Sequence, residues 1–75
     1  MKMFAIVNKK TKRFVYSTDY TGETPKQKTS ADIARTYLTY KDAKKDFNRR
    51  KCNKNYAICV IESPVFIRLA TKEDA

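Results

Sequence analysis

The chain has 75 residues, of which 33% are charged and 41% hydrophobic, and 17 Lys and Arg against 8 Asp and Glu give a formal charge of +9. A sequence of this length has room for one small domain with a marginal core, which excludes a second domain and a deep catalytic cavity. Its apolar content excludes wholesale disorder. We therefore predict a single domain over residues 1–75.

Histidine is absent, which removes the usual general base near neutral pH and a common metal ligand. Cys52 and Cys59 are the two cysteines, and their spacing lacks the CxxC pairs of a zinc site. We expect reduced thiols, with Cys59 in the core, and leave open whether the two are paired. We predict neither a metal nor a cofactor.

The apolar runs Met3–Val7 and Tyr56–Ile61 are far shorter than the about 18 residues that a membrane span requires. The first run also ends at Asn8, before a secretion signal would be complete. We therefore expect a cytoplasmic protein without a membrane partner.

Two segments near the start, Met3–Asn8 and Arg13–Ser17, are rich in Phe, Ile, Val and Tyr and flank the basic stretch Lys9–Lys12. This pattern predicts a β-hairpin. The connection has no glycine, so we expect a loop of a few residues over 8–12 and not a two-residue primed turn.

Residues 18–32 include several threonines, Gly22 and Pro25 and almost no aliphatic side chain, which predicts a long polar loop. Such loops are often functional. The following segment, Ile33–Leu38, fits either a helix or a strand, and its Thr and Tyr content favours a short strand.

Thr39 followed by Asp42 indicates a helix start, because a threonine hydroxyl caps the first turn and a negative charge meets the positive helix end. We predict a helix over about 40–51. Its apolar stripe, which would dock on a sheet, consists of Tyr40, Ala43 and Phe47.

Tyr56–Ile61 is apolar on both alternating faces, which predicts a strand in the middle of a sheet. Ser63 and Pro64 end that strand, Val65–Ala70 predicts an edge strand, and 71–75 a flexible tail. The order β-β-loop-(β)-α-β-β indicates an α+β fold, a small, mainly antiparallel sheet with one helix on one face.

Basic charge is the strongest global signal, and phosphate backbones bind such charge through counterion release. Asp42 and Asp46 cancel part of it on the helix, where they lie at three- and four-residue spacings from lysine and arginine. The two basic clusters are Lys9, Lys10, Lys12 and Arg13 in the hairpin turn, and Lys44, Lys45, Arg49, Arg50, Lys51 and Lys54 around the helix. Aromatics that are interleaved with them include Phe14, Tyr16, Tyr20 and Tyr56.

From charge, exposure and loop position we predict a partner-binding set. It comprises Lys9, Lys10, Lys12, Arg13, Tyr20, Lys26, Lys28, Lys45, Arg49 and Arg50.

Phe4–Tyr16, together with Asp42–Phe47 followed by Lys51 and Cys52, resembles small accessory proteins of bacteriophages. Such proteins include inhibitors of host defence, among them anti-CRISPR proteins that bind a Cas effector without catalysis. The resemblance implies a phage-encoded inhibitor in the host cytoplasm and carries no functional residue across.

Three functions remain open. The first is a non-catalytic binding protein that inhibits a host protein or ribonucleoprotein complex that processes nucleic acid. The second is direct, sequence-nonspecific binding of DNA or RNA through the same basic face. The third is a small ribonuclease that uses Lys, Arg and Tyr in place of His, for which the sequence nominates no residue. The partner's identity and the oligomeric state stay open.

Overall fold

The structure is a computed structural model that describes residues 2–63 and 66–75. Its elements in chain order are β1 (Met3–Asn8), β2 (Phe14–Asp19), β3 (Lys26–Ser30), β4 (Thr36–Tyr37), α1 (Tyr40–Arg49), β5 (Tyr56–Ser63), β6 (Phe66–Leu69) and a 3₁₀ turn (Lys72–Asp74). The predicted α+β class, with one helix and an antiparallel sheet, is confirmed. No helix in the described part of the chain is long and apolar enough to cross a membrane.

The sheet has the order β3-β2-β1-β5-β6, and β4 adds a short pairing to β1. β1 pairs with β5 along its whole length, from Met3 opposite Ile61 to Asn8 opposite Tyr56. β5 therefore lies between β1 and β6, as its apolar run predicted, and β6 is the expected edge strand.

Both faces of β1 and β5 are buried. On the helix side, Phe4, Ile58 and Val60 pack with Ala43, and the half-buried side chains against them include Tyr37, Tyr40 and Phe47. On the other side, Ala5, Val7 and Cys59 pack together, covered in part by Phe14, Ala34 and Ile61. Strand side chains alternate between faces, so a strand buried on both sides has a continuous apolar sequence. The predicted helix stripe and the core position of Cys59 are confirmed.

The helix begins at Tyr40, as predicted, because the Thr39 hydroxyl accepts a hydrogen bond of 3.1 Å from the Asp42 N–H. It ends at Arg49, before the predicted Lys51, because Lys51 takes a left-handed conformation with φ 54°. The N–H of Lys51 bonds to the Asn48 carbonyl at 3.1 Å and that of Cys52 to the Phe47 carbonyl at 3.2 Å. These two bonds form a Schellman motif, which closes the helix.

The predicted loop over 18–32 was wrong for Lys26–Ser30, which forms the edge strand β3, and β2 also extends to Asp19. The inner side of β3 carries Gln27, whose amide is bonded within the protein, so this strand lacks the apolar alternation by which strands are recognised. Because β3 is polar throughout, it could not be recognised as a strand from composition and periodicity.

Two shorter segments also bear on the predictions. Within Ile33–Leu38, strand geometry covers Thr36–Tyr37 alone. Residues 71–75, the expected flexible tail, contain the 3₁₀ turn, whose Asp74 carboxylate pairs with Lys2 at 3.3 Å and with Arg68 at 2.9 Å. The predicted strand end at Pro64 and the predicted strand start at Val65 lie outside the described residues.

Candidate binding site

Tyr56, the first residue of β5, forms the common wall of two shallow depressions on the helix side of the molecule. One, of about 320 Å³, lies between the hairpin turn and the helix, and the other, of about 350 Å³, lies between the helix C-terminus and β3. We call their polar and aromatic lining the Tyr56 surface. It consists of Lys9, Pro25, Lys26, Gln27, Tyr40, Lys44, Phe47, Lys51, Asn53 and Tyr56.

The hairpin turn is held so that Lys9 lies beside Tyr56. The Asn8 side-chain oxygen accepts hydrogen bonds from the N–H groups of Lys10 at 2.9 Å and Thr11 at 3.1 Å, which organises the turn locally. The Lys9 N–H then donates to the Asn55 carbonyl at 2.8 Å, which fastens the turn to the loop before β5.

The helix contributes Lys44, Tyr40 and Phe47. The Lys44 ammonium lies 5.1 Å from the centre of the Phe47 ring, within the range of a cation–π contact. The Tyr40 ring meets Phe4 edge-on at 6.1 Å between ring centres, which fixes the aromatic floor of this side.

The loop after the helix forms the other side of the Tyr56 surface. Tyr56 donates its N–H to the Asn53 carbonyl at 3.0 Å, and the Asn53 side chain accepts from the Asn55 N–H at 2.8 Å. This turn places Lys51 and Asn53 opposite Lys26 of β3.

The Tyr56 surface is strongly positive. Among the described residues, no carboxylate lies within ion-pairing distance of its four lysines, and none of the side chains that line it is acidic. Cations without ion-pair partners that surround one surface concentrate a positive potential there. The two basic clusters of the sequence meet at this point, through Lys9 from the turn and Lys44 from the helix.

Only part of the predicted partner-binding set lies on this surface. Lys9 and Lys26 belong to it, whereas Lys45 and Arg49 line a separate groove beside Tyr37. Lys12 lies with Val7 and Phe14 on the opposite side of the sheet.

The remaining members of the set lie elsewhere. The Arg13 guanidinium donates to the Thr29 carbonyl at 3.3 Å, whereas Lys10, Tyr20 and Lys28 are exposed. The prediction did not select Lys44, Lys51 and Tyr56 as contacts, although all three belonged to the basic clusters or the interleaved aromatics.

Arg50, another member of the predicted partner-binding set, is only 6% exposed, and the hydrogen bonds that its side chain donates lie within the protein. Its Nε donates to Asp46 at 2.7 Å and its Nη1 to the Thr18 hydroxyl at 2.6 Å. Gln27 accepts from that hydroxyl at 2.6 Å and donates to the Arg50 carbonyl at 2.8 Å. Arg50 thus ties the end of the helix to β2 and β3.

Asp46, also 6% exposed, is the anionic centre of this network. It accepts hydrogen bonds from Arg50, from the Tyr37 hydroxyl and from the Arg49 Nε at 2.9 Å. Burial would raise the pKa of Asp46, but these donors outweigh it and lower the pKa to about 2. Burial and the hydrogen bond to Asp46 raise the pKa of Tyr37 to about 12.

This network is structural. In the described part of the chain, every buried side-chain nitrogen and oxygen has a hydrogen-bond partner, so the shifted groups are fully engaged within the fold. Ion-pair networks shift pKa values just as catalytic sites do. The Asp46 network therefore positions the helix.

Neither metal nor thiol chemistry is favoured. Residues 2–63 and 66–75 contain no group of three His, Cys, Asp or Glu side chains that could hold a metal ion. Cys52 and Cys59 are free, and burial raises the pKa of each thiol to about 11, which keeps both protonated near neutral pH.

No protein-family model, curated protein or solved structure matches this chain. A function for it therefore has to be argued from the Tyr56 surface itself.

Proposed function

We propose that this chain is a small, non-catalytic binding protein that docks the Tyr56 surface on an anionic surface of a host nucleic-acid-processing complex and inhibits it. The observation that carries the proposal is the arrangement of four lysines, Lys9, Lys26, Lys44 and Lys51, around a half-buried tyrosine. None of the four forms an ion pair among the described residues, although Lys26 lies opposite Asp19 in the neighbouring strand. Tyrosine flanked by cations forms a typical interface anchor, because the ring buries apolar area while the cations select an acidic partner.

The chemistry of the surface supports binding over catalysis. Its lining offers lysine, asparagine and glutamine but no group that would act as a general base near neutral pH. The depressions are also shallow, which suits a protein surface better than an enclosed small substrate. Inhibition by occupation of an acidic surface of the complex requires neither a general base nor an enclosed cavity.

The resemblance to phage accessory proteins supplies the class of partner. A protein that covers an acidic surface of such a complex needs a rigid basic face of its own. The hydrogen bond from Lys9 to Asn55 and the Schellman motif at Lys51 provide that rigidity from both sides of Tyr56. An anti-CRISPR-type inhibitor in the host cytoplasm is the specific form of the proposal.

Direct binding of DNA or RNA is the second candidate. The aromatic rings of Tyr40, Phe47 and Tyr56 lie beside Lys9 and Lys44, and single-stranded nucleic acids bind where lysines follow the backbone and aromatic rings stack on bases. This candidate uses the same surface, so it differs from the first in partner and not in site.

The test compares two charge-matched double variants. Lys9→Glu with Lys44→Glu alters the Tyr56 surface, and Lys41→Glu with Lys72→Glu makes the same charge change at exposed lysines outside it. Each protein is added to the purified host complex, and cleavage of the complex's nucleic-acid target is measured beside binding. We expect the wild type and the control pair to inhibit, and the surface variant to lose at least about 10-fold in affinity.

A parallel assay measures the anisotropy of labelled single- and double-stranded DNA and RNA at ~50 mM and ~200 mM salt. Binding that persists at the higher salt and depends on Lys9 and Lys44 would establish the second candidate and overturn the first. Equal loss in both double variants would show that net charge, and not the Tyr56 surface, drives binding.

A further inference from the structure

The two depressions that share Tyr56 differ in chemistry, although each contains two lysines. In the one with Lys9 and Lys44, which we call the apolar depression, every other lining side chain is aromatic or aliphatic. These include the buried Ile58 and the half-buried Phe47, whereas both lysines are exposed. An apolar side chain gains most from such a lining, because its surface is removed from water there.

The other depression, which we call the polar depression, presents hydrogen-bond donors. Lys26 and Lys51 contribute their ammonium groups. The Asn53 side-chain oxygen accepts from the Asn55 N–H at 2.8 Å, which leaves the NH₂ group of Asn53 to donate outwards. The Gln27 amide is bonded within the fold. Ammonium and amide donors around one depression bind a carboxylate, which accepts hydrogen bonds and carries the opposite charge.

The acidic side chains near these depressions do not reverse their charge. Asp19 lies opposite Lys26 in the pairing of β2 with β3 and offsets part of that one charge. Beside β6, two further carboxylates are paired with cations of their own: Glu62 with Arg68, and Asp74 with Arg68 and Lys2. Lys12, which lines the depression on the other side of Leu69, adds positive charge. The field around Tyr56 therefore selects an anionic ligand.

The charge of both depressions comes from lysine and not from arginine. The planar arginine fork matches phosphate, so nucleic-acid-binding surfaces favour it. Among the described residues, neither depression is lined by an arginine. Arginines that donate hydrogen bonds within the fold are Arg13, Arg49, Arg50 and Arg68, and Arg35 lines the groove beside Tyr37. This distribution favours carboxylates over phosphates, and so a protein segment over a nucleic acid.

We propose that the Tyr56 surface binds an extended acidic segment of its partner, which inserts one apolar side chain beside Lys9 and Lys44 and places a carboxylate against Lys26 and Lys51. One extended segment fills both depressions, because alternate side chains of such a segment project to the same side and Tyr56 alone lines both sites. The inference rests on the proposed function, since it specifies the part of the host complex that this surface contacts.

The test measures the anisotropy of short labelled peptides with the whole chain at ~0.15 M salt, where long-range attraction is screened. The first peptide has one Phe between glutamates, the second has Ser in place of Phe, and the third has Gln in place of every Glu. We expect the first to bind at least about 10-fold more tightly than either of the others, because it alone supplies both the apolar side chain and the carboxylates.

Variants of the protein assign each preference to its depression. Leu69→Ser alters the lining of the apolar depression and should reduce the preference for Phe over Ser, whereas Leu38→Ser, at an exposed leucine outside it, should leave that preference unchanged. Lys26→Gln with Lys51→Gln should reduce the preference for Glu over Gln. Circular dichroism checks that each variant folds, and Leu69→Gln is a second variant at the apolar depression.

Equal binding of the Phe and Ser peptides overturns the inference. So does tighter binding of single-stranded DNA that carries the same number of negative charges as the first peptide, or a preference for Phe that survives in both folded Leu69 variants. Inhibition of the host complex is measured separately. A wild type that inhibits without the expected peptide preferences overturns this inference alone, and one that shows the preferences without inhibiting overturns the proposed function alone.

Discussion

At the scale of single residues, Asp46 shows how one carboxylate joins otherwise unrelated segments. Its donors come from the helix and from β4, and Arg50 extends the same network to β2 and β3. Removing one partner of a buried ion pair is costly, because the remaining charge stays out of water without compensation. Arg50 is that remaining charge if Asp46 is lost.

The pKa of Asp46 yields a prediction about acid stability. Its folded pKa of about 2 lies below the ordinary aspartate value of 3.8, so the ionised form stabilises the fold above about pH 4, and this contribution of about 2 kcal/mol is lost as pH falls towards 2. Asp46→Asn should lower the unfolding free energy at pH 7 by about 3 kcal/mol and flatten the dependence between these pH values. Urea unfolding at several pH values measures both effects.

The control is Asp32→Asn, since Asp32 is exposed and lies in the connection between β3 and β4. This variant should change the unfolding free energy at pH 7 by less than about 0.5 kcal/mol. Equal loss of stability in both variants would contradict the role given to Asp46.

At the scale of elements, those with a periodic apolar signal were predictable. α1 was recognised from the helical spacing of its apolar residues, and β1 and β5 were recognised from short continuous apolar runs, which are typical of strands buried on both faces. β3 was missed because its inward side chain, Gln27, is satisfied by Thr18 and Arg50, two residues that a local pattern cannot bring together. Where the buried side chains are polar and their hydrogen-bond partners are distant in sequence, apolar periodicity does not identify the strand.

The start of the helix gives a prediction at this scale. Thr39→Ala removes the acceptor for the Asp42 N–H and should lower the unfolding free energy by about 1 kcal/mol. Thr39→Ser, which keeps the hydroxyl, should recover most of that loss. Thermal melts of the two variants separate the cap from a general effect of substitution at this position, and equal losses would count against the cap.

At the scale of the whole molecule, the ion pairs are distributed unequally among the basic side chains. The carboxylates within ion-pair distance of cations serve Lys2, Arg49, Arg50 and Arg68, while the lysines of the Tyr56 surface have none among the described residues. The basic composition predicted an anion-binding face. Which lysines surround Tyr56 depends on tertiary contacts such as the hydrogen bond from the Lys9 N–H to the Asn55 carbonyl. The sequence alone does not reveal such contacts.

This division predicts a salt effect on folding. Raising NaCl from ~0.05 M to ~0.5 M should increase the unfolding free energy by about 1 kcal/mol, because repulsion among exposed lysines is screened while the buried Asp46 pair is screened much less. Each Lys→Glu change replaces a positive with a negative charge, so Lys9→Glu with Lys44→Glu lowers the formal charge from +9 to +5 and should reduce the salt effect. Urea titrations at each salt concentration test this, and a salt effect that is the same in both proteins would contradict it.

Lys51 occupies the left-handed position of the Schellman motif, where glycine is the common residue, and Lys12 in the hairpin turn has a similar φ of 62°. A side chain at such a φ costs about 1 kcal/mol relative to glycine, so folding by itself favours glycine at both sites. A lysine at position 51 therefore lowers the folding stability relative to glycine and places a positive charge at the end of the helix. Under the proposed function, a change to glycine at position 51 in descendants of this chain would therefore accompany loss of the partner contact, and a retained lysine would accompany its preservation.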